Sequence, residues 1–418
     1  MAMVRDNLEI CVSLLHSVTP SILINAKMNS FTPAIRLSLL QSAKQGDTLR
    51  RWSISELLKL NEINATNAKV VLSELRTRLA IQHQRLSSSR LDGYAKIASI
   101  AESTTVVKSM KMLTQLHENT YILPHEIIEN RDFLESFSSR PNQIYLKEMI
   151  DQIMTRHGAS VDTFADATIA ARSLEKHLPH ILRKQFRKDF ATLYKPEQFL
   201  HSRLLIQLMC EHYVSLNKGK PFGALSIDAD ILDIIDDATT EAKSVCDANL
   251  GIAPEVQIRQ YRTEGQFVPP TIIRSWLHHA IVEVTKNAMM STVEKWDQQP
   301  SLVKEPLPSS ILINVSRDTD YMSVRAVDNG LGLNADRADK AFRFAASSTQ
   351  KRWDRLDEQQ SYAAVRQPLG SLGVGLSLSK LMLKCFGGDL RLTNNENHQS
   401  GCTAELKVSY NNDYKALN

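Results

Sequence analysis

The sequence predicts an α+β protein, helical in its front half and mixed in its second, and three observations support this. Only three of the 15 glycines fall in the first 218 residues, whereas eight lie between Gly330 and Gly401. Glycine is scarce inside helices and common at turns and phosphate-binding loops, so the front half reads as long helices. Apolar residues there recur at spacings of three and four, while short alternating runs appear only behind residue 228. A length of 418 residues with 43% apolar side chains allows two domains of ordinary size, or three small ones.

Residues 1–35 read as an N-terminal arm. Its basic groups are Arg5 and Lys27, with His16, which is poorer in arginine than a mitochondrial presequence. Residues 36–220 then carry "ISELLKLNEI", "NAKVVLSELRTRLAIQHQRL", "VVKSMKMLTQLHE", "IYLKEMIDQIMTRHG" and "FLHSRLLIQLMCEHYVSL". Each has helical spacing, and a four-helix bundle is the natural packing. The basic stretch 174–198, before the last of these helices, reads as an irregular, solvated excursion. "NKGKPFGALSID", residues 217–228, is the expected linker.

Residues 221–418 form the second domain. "ILDIIDDATTEAKSVCDAN" reads as a helix stopped by Gly251, and "VQIRQY" alternates as a strand. Pro269 and Pro270 suit the start of a helix that runs on through residue 294. "ILINVS" and "YMSVRAVD" read as an antiparallel hairpin, "LSLSKLMLKCF" as a helix closed by Gly387 and Gly388, and "DLRLTN" and "TAELKVS" as strands.

Net charge is only +4, which gives no electrostatic footprint for nucleic acid. The five cysteines (Cys11, Cys210, Cys246, Cys385, Cys402) show no C-x-x-C spacing, which argues against a zinc site or a disulfide framework. No apolar run approaches the roughly 18 to 20 residues that cross a bilayer.

Chemistry concentrates in three segments. In "EVTKNAMMSTVE", Glu283, Lys286 and Asn287 share one helix stripe with His279, opposite an apolar stripe that includes Leu277, Ala280, Ile281, Val284 and Ala288. Such a polar line is either solvated surface or the floor of a site. In "VDNGLGL", Asp328 ends an apolar strand, and Gly330 and Gly332 let the chain turn tightly; the carboxylate there suits an exocyclic amine such as that of adenine. In "GSLGVGLSLSK", glycines lead straight into a helix whose N-terminal N–H groups suit a phosphate chain. The P-loop pattern fails there because Leu376 stands where lysine is required, and the Rossmann pattern lacks its third glycine.

In this order the segments resemble the GHKL superfamily of ATPases and kinases. Within it, "EVTKNAMMSTVE" resembles the block E-[LV]-x-K-N-A-M-R-A-T-[VM]-E of the mitochondrial 2-oxoacid dehydrogenase kinases, those of pyruvate dehydrogenase and branched-chain 2-oxoacid dehydrogenase. "ELRTRLA" and "FLHSRLLIQLM" resemble their bundle helices, with Gln207 where an arginine is usual. The resemblance implies a helical bundle for regulation and docking, followed by a Bergerat-type α/β sandwich that binds ATP.

Carried over by position, it implies that Glu283, oriented by His279, is the general base towards a serine hydroxyl, with Lys286 near the phosphates. Asn287 would hold Mg²⁺, and Asp328, helped by Thr403, would receive the adenine amine. Ser347 and Ser348 match a Ser-Thr pair near the nucleotide, and the loop Gly370, Ser371, Leu372, Gly373, Val374, Gly375 and Leu376 would cover the phosphates. Residues 349–368 would form a lid.

Met290 replaces the block's arginine, while Asn329 and Leu331 follow the pattern of sensor histidine kinases. The implied cofactors are ATP and Mg²⁺. The implied partners are the decarboxylase component and lipoyl domain of a 2-oxoacid dehydrogenase complex in the mitochondrial matrix, with the kinase a homodimer, no membrane span and no nucleic acid. The alternative is a histidine-kinase-like protein kinase with another substrate. That requires an acceptor histidine with Thr or Asn four residues on, whereas His117 is followed by Tyr121 and His125 by Glu129.

Overall fold

Helical spacing in the front half produces helices, and their ends are set by local hydrogen-bonding chemistry. The computed structural model describes residues 32–44, 50–87, 90–98, 101–227, 229–260, 269–300, 305–346, 373–395 and 400–415. The helices are α1 (Pro33–Lys44), α2 (Ile54–Leu58), α3 (Ala65–Leu86), α4 (Arg90–Ala98), α5 (Ala101–Glu129), α6 (Arg131–Glu135), α7 (Arg140–Arg156), α8 (Ser160–His177), α9 (His180–Tyr194) and α10 (Pro196–Asn217). Ser53 and Glu56 close a reciprocal capping box on α2, and the Asn64 side chain caps α3. Helix α3 packs on α5, α5 on α8, and α10 on both α3 and α7.

The second half holds β1 (Leu225–Ser226), α11 (Ile231–Leu250), β2 (Val256–Gln260), β3 (Ile272–Ile273), α12 (Arg274–Asp297), β4 (Ile311–Arg317), β5 (Tyr321–Val327), α13 (Ala335–Ala341), α14 (Gly375–Lys384), β6 (Asp389–Asn394) and β7 (Cys402–Ser409). Five strands form one mixed sheet in the order β2-β4-β5-β7-β6, with only β2 and β4 parallel. Alternate residues Ile311, Ile313 and Val315 of β4, with Met322 and Val324 of β5, are buried in one core with α11 and α12. The mixed helix and sheet content makes this an α+β chain.

Four expectations change. The basic stretch 174–198 is not irregular: it contains the end of α8, all of α9 and the start of α10, with a break at Leu178–Pro179. Phe186 of α9 is buried and stacks edge-on against Tyr94, so this segment has a core face as well as charges. The segment 217–228 is more than a linker, because Leu225 and Ser226 pair with Ile273 and Ile272. The helix with the polar stripe accordingly begins at Arg274, after that short strand, rather than directly behind the two prolines. Shorter helices also accompany the long ones of the front half.

The two halves share apolar cores. Trp276 of α12, Met382 of α14 and Cys385 join the cluster built by α3, α7 and α10. Phe344, Ala345 and Val374 join the cluster of α5, α8, α9 and α10. The C-terminal stretch adds polar ties: the Ser55 N–H donates to the Asn412 carbonyl at 2.9 Å, and Lys415 Nζ lies 2.8 Å from Glu56 Oε1. Among the described residues no helix is long and apolar enough to cross a membrane, and Cys210, Cys246, Cys385 and Cys402 are free and buried.

Candidate active site

The polar line on α12 is covered rather than solvated. Glu283 and Lys286 are 7% and 9% exposed, on the same helix as the fully apolar positions Ala280 and Ile281. A charge buried to this degree needs a partner. Lys286 Nζ donates to Glu283 Oε1 at 2.5 Å. The other carboxylate oxygen, Oε2, lies against Gly375, the first residue of α14, where a Cβ would overlap it. The absence of a side chain at Gly375 therefore creates the room that Glu283 occupies, and it sets the carboxylate at the positive end of a helix that has no side-chain cap.

Asn287 sits one turn beyond Glu283. Its Nδ2 donates to the Glu283 carbonyl at 2.6 Å, so the amide is oriented and its Oδ1 points away from the helix backbone. A single oriented amide oxygen fits Mg²⁺, which takes one or two protein ligands and completes its shell with phosphate oxygens and water. Among the described residues no cluster of three or more His, Cys, Asp or Glu offers a competing cage.

His279, one turn before Glu283, makes no hydrogen bond to it; the bond to the carboxylate is that of Lys286. The His279 Nε2 is buried without a partner, and burial holds the imidazole pKa below its ordinary value, so the ring is neutral near pH 7. Met290 is half-buried one turn beyond Lys286.

Asp328 lies just past the end of β5 and is 5% exposed. Its Oδ1 accepts from the Gly330 N–H at 2.8 Å and from the Cys402 N–H at 3.1 Å, leaving Oδ2 for another donor. Burial raises the carboxyl pKa, partly offset by these two bonds and by Lys295. Gly330 packs so closely on Ser291 that a Cβ would sit 2.7 Å from the Ser291 Cβ, and Gly332 adopts a φ of +68°. Thr403, paired with Val327 across β5 and β7, donates its hydroxyl to Asn395 Oδ1 at 2.8 Å.

Several side chains that hold this site together escaped the sequence reading. Ser291 Oγ accepts from the Leu331 N–H at 3.0 Å, and Lys295 Nζ donates to the Asn329 carbonyl at 2.9 Å and to Ser400 Oγ at 2.7 Å. Asn394 grips Leu333 through both its oxygen and its amide, at 2.7 and 2.9 Å. A signal for two of them existed: Ser291 and Lys295 continue the four-residue row His279, Glu283, Asn287. Arg172 of α8 reaches across from the helical half and donates to the carbonyls of Phe344 and Ala345. Ala345 has a left-handed φ of +53°, Phe344 packs tilted against Phe164, and the Gly373 α-carbon abuts the Ala346 backbone.

The structure thus brings Glu283, Lys286, Asn287 and Gly375 together on one side, with Val374 and Leu376 flanking Gly375. Asp328, Gly330 and Gly332 gather on the other side, joined to the first through Ser291 and Lys295; Thr403, expected beside Asp328, instead shares the sheet face of Val327, Arg325 and Glu405, because strand alternation turns Cys402 and Ala404 to the core. Ser347, Ser348, Gly370, Ser371, Leu372 and the expected lid 349–368 lie outside the described residues.

No protein-family model matches the chain. Curated relatives do. [Pyruvate dehydrogenase (acetyl-transferring)] kinase isozyme 1, mitochondrial, from Mus musculus is 23% identical over 330 residues, covering 75% of this chain and 70% of that protein. Isozyme 3 from Homo sapiens is 23% identical over 279 residues, covering 65% and 64%. Isozyme 4 from Ictidomys tridecemlineatus is 27% identical over 207 residues, covering 48% and 47%. Among solved structures, a mycobacterial sensor histidine kinase aligns with 43% of this chain and 95% of its own, at 18% identity and a TM-score of 0.28, too low to bear on the fold.

At the level of class, the curated proteins that the chain is similar to are named as kinases. The likeness is to several mitochondrial pyruvate dehydrogenase kinase isozymes, at 23–27% identity.

Proposed function

We propose that this protein is an ATP-dependent protein serine kinase acting on the decarboxylase component of a mitochondrial 2-oxoacid dehydrogenase complex, pyruvate or branched-chain. The observation that carries the reading is the buried Glu283 carboxylate, held between Lys286 and Gly375 with the Asn287 amide oxygen one turn further on. A buried, fixed carboxylate beside an uncapped helix N-terminus is suited to take a proton from a hydroxyl while phosphate oxygens meet backbone N–H groups.

In this reading Glu283 accepts the serine proton as the serine oxygen forms its bond to the γ-phosphorus, and ADP departs. Lys286, already ion-paired to Glu283, keeps a positive charge beside the transferring group. Asn287 would present Oδ1 to Mg²⁺, which when bound neutralises charge on the phosphate oxygens. Asp328 would receive the adenine amine on Oδ2, and Gly373, Val374, Gly375 and Leu376 would lie over the phosphates. Alignment and electrostatics supply most of the acceleration in phosphoryl transfer, which needs little covalent help.

The same reading takes residues 36–220 as a four-helix docking and regulatory bundle that engages a lipoyl domain, 221–418 as the ATP-binding domain, and the working unit as a mitochondrial homodimer. A histidine acceptor finds no support at His117, which is fully buried. Glu283→Gln should lower phosphotransfer to purified dehydrogenase complexes by about 10² to 10⁴ while leaving Mg²⁺–ATP affinity nearly unchanged. Equal turnover in wild type and variant rejects the role of Glu283, and wild-type protein without affinity for Mg²⁺–ATP rejects the reading as a whole.

A further inference from the structure

Arg172 of α8 is half-buried, and its guanidinium is spent on backbone: Nη2 donates to the Phe344 carbonyl at 2.5 Å and Nη1 to the Ala345 carbonyl. Among the described residues no carboxylate pairs with it, so these carbonyls are what offset the cost of covering its charge. The contact falls on a strained backbone. Ala345 holds a left-handed φ of +53°, which a residue with a Cβ keeps only where its surroundings impose it. Next in the chain, Ala346 meets Gly373: a Cβ on Gly373 would overlap the Ala346 carbonyl and lie 2.7 Å from its nitrogen, so the two backbones touch directly. Val374 follows, buried in one apolar cluster with Phe344, Phe164 of α8 and Phe199 of α10. Phe164, Thr168 and Arg172 stand at successive four-residue steps, so one side of α8 supplies both the apolar and the polar support. Gly375 then opens α14 against Glu283 Oε2. A path of direct contacts thus runs from Arg172, through residues 344–346 and Gly373, to the uncapped N–H groups at the start of α14.

Resting on the nucleotide reading above, we propose that Arg172 is a positioning residue for the phosphate end of the nucleotide: from the helical half it fixes residues 344–346 as the stop against which Gly373 seats, and so aims the N–H groups that open α14. Backbone donors favour an anion strongly only when their direction is set beforehand. Asp328, with its partners Gly330 and Cys402, takes no part in this path. Loss of Arg172 therefore acts on the phosphates and spares the base.

The test measures affinities of the full-length chain for ATP and AMP with Mg²⁺ present, since the two share base and ribose and differ in the β- and γ-phosphates. Arg172→Ala should weaken ATP by about tenfold to 10²-fold, the worth of one misdirected charge-assisted hydrogen bond, and AMP by less than about twofold. Arg172→Lys keeps the charge but cannot serve two carbonyls in parallel, and it should fall between. A side chain that merely held the two halves together would weaken both nucleotides equally, so an unchanged ATP-to-AMP ratio overturns the proposal. A second arm needs ATP alone. Gly373→Ala, whose Cβ would strike Ala346, should cost less ATP affinity in the Arg172→Ala background, where residues 344–346 can give way, than in wild type. Equal cost in both backgrounds overturns the proposal, and this cycle decides if AMP binds too weakly to measure. Should Arg172→Ala fail to fold, Arg172→Lys takes its place in both arms. A wild type that binds neither nucleotide overturns this inference and the nucleotide reading together, whereas ATP binding with an unchanged ratio and an additive cycle overturns this inference alone.

Discussion

Gly375→Ala isolates the contact on which the site depends. An added Cβ would overlap Glu283 Oε2 and stand 2.5 Å from its Cδ and 3.1 Å from its Cγ, where ordinary contact is 3.4–4 Å. The carboxyl must therefore withdraw by about 1 Å, because core packing leaves no slack to absorb the overlap. Its bond to Lys286, now 2.5 Å, would stretch beyond useful range. Losing a buried charge-assisted bond costs about 1.5–3 kcal/mol. Replacing glycine by alanine in a helix returns about 0.5–1 kcal/mol. A net destabilisation of about 1–2 kcal/mol is expected by this reckoning, and, on the proposed role of Glu283 as general base, about a 10²-fold loss of turnover.

Thermal unfolding measures the first quantity, and labelled phosphate transfer to purified pyruvate and branched-chain complexes the second. Combined with Glu283→Ala, which empties the space, the substitution should destabilise no further. Full turnover in Gly375→Ala, or an undiminished destabilisation in the Glu283→Ala background, would refute the reasoning.

Two more outcomes follow from buried titratable groups. Asp328 has a folded pKa raised above its ordinary 3.8, so its stabilising contribution is present below that value and is lost as pH rises through the folded pKa. Asp328→Asn, which cannot ionise, should therefore gain stability relative to wild type between acid and neutral pH while losing about 10- to 100-fold in ATP affinity; an equal stability difference at pH 3 and pH 8 contradicts this. His117, fully buried with Nδ1 2.7 Å from the Leu113 carbonyl and Nε2 unpartnered, is pushed down to about 4 from an ordinary 6.5. The unfolded chain then binds the proton first, so stability falls as pH drops from 6.5 towards 4, by about 3 kcal/mol for this group. In denaturant titrations from pH 7.5 to 4.5, His117→Phe should lose that part of the slope, and an unaltered slope would show that the ring is not held neutral.

Much of the second half was legible because its elements are local. Gly251, at φ +74°, ends α11 where a left-handed residue is needed, and the strands of the hairpin carry their own alternation. The row His279, Glu283, Asn287 was visible from helix geometry alone. Its continuation to Ser291 and Lys295 was not singled out, because nothing local distinguishes a serine or lysine that grips a distant turn from one in water. The two-residue strands β1 and β3 are too short to show a period. In 174–198 the charges masked the helical spacing of Leu182, Phe186 and Phe190, whose partner Tyr94 lies far off in the chain.

The sequence by itself determined which segments are helix or strand and which side chains could bear chemistry, since those depend on spacing within a few residues. Tertiary structure alone decided that Glu283 is buried under Gly375, that Lys286 rather than His279 bonds it, and that Arg172 ties the helical half to Phe344 and Ala345. Burial and partner choice are set by which distant segments meet, and a missing Cβ has consequences only once another chain segment stands where it would have been.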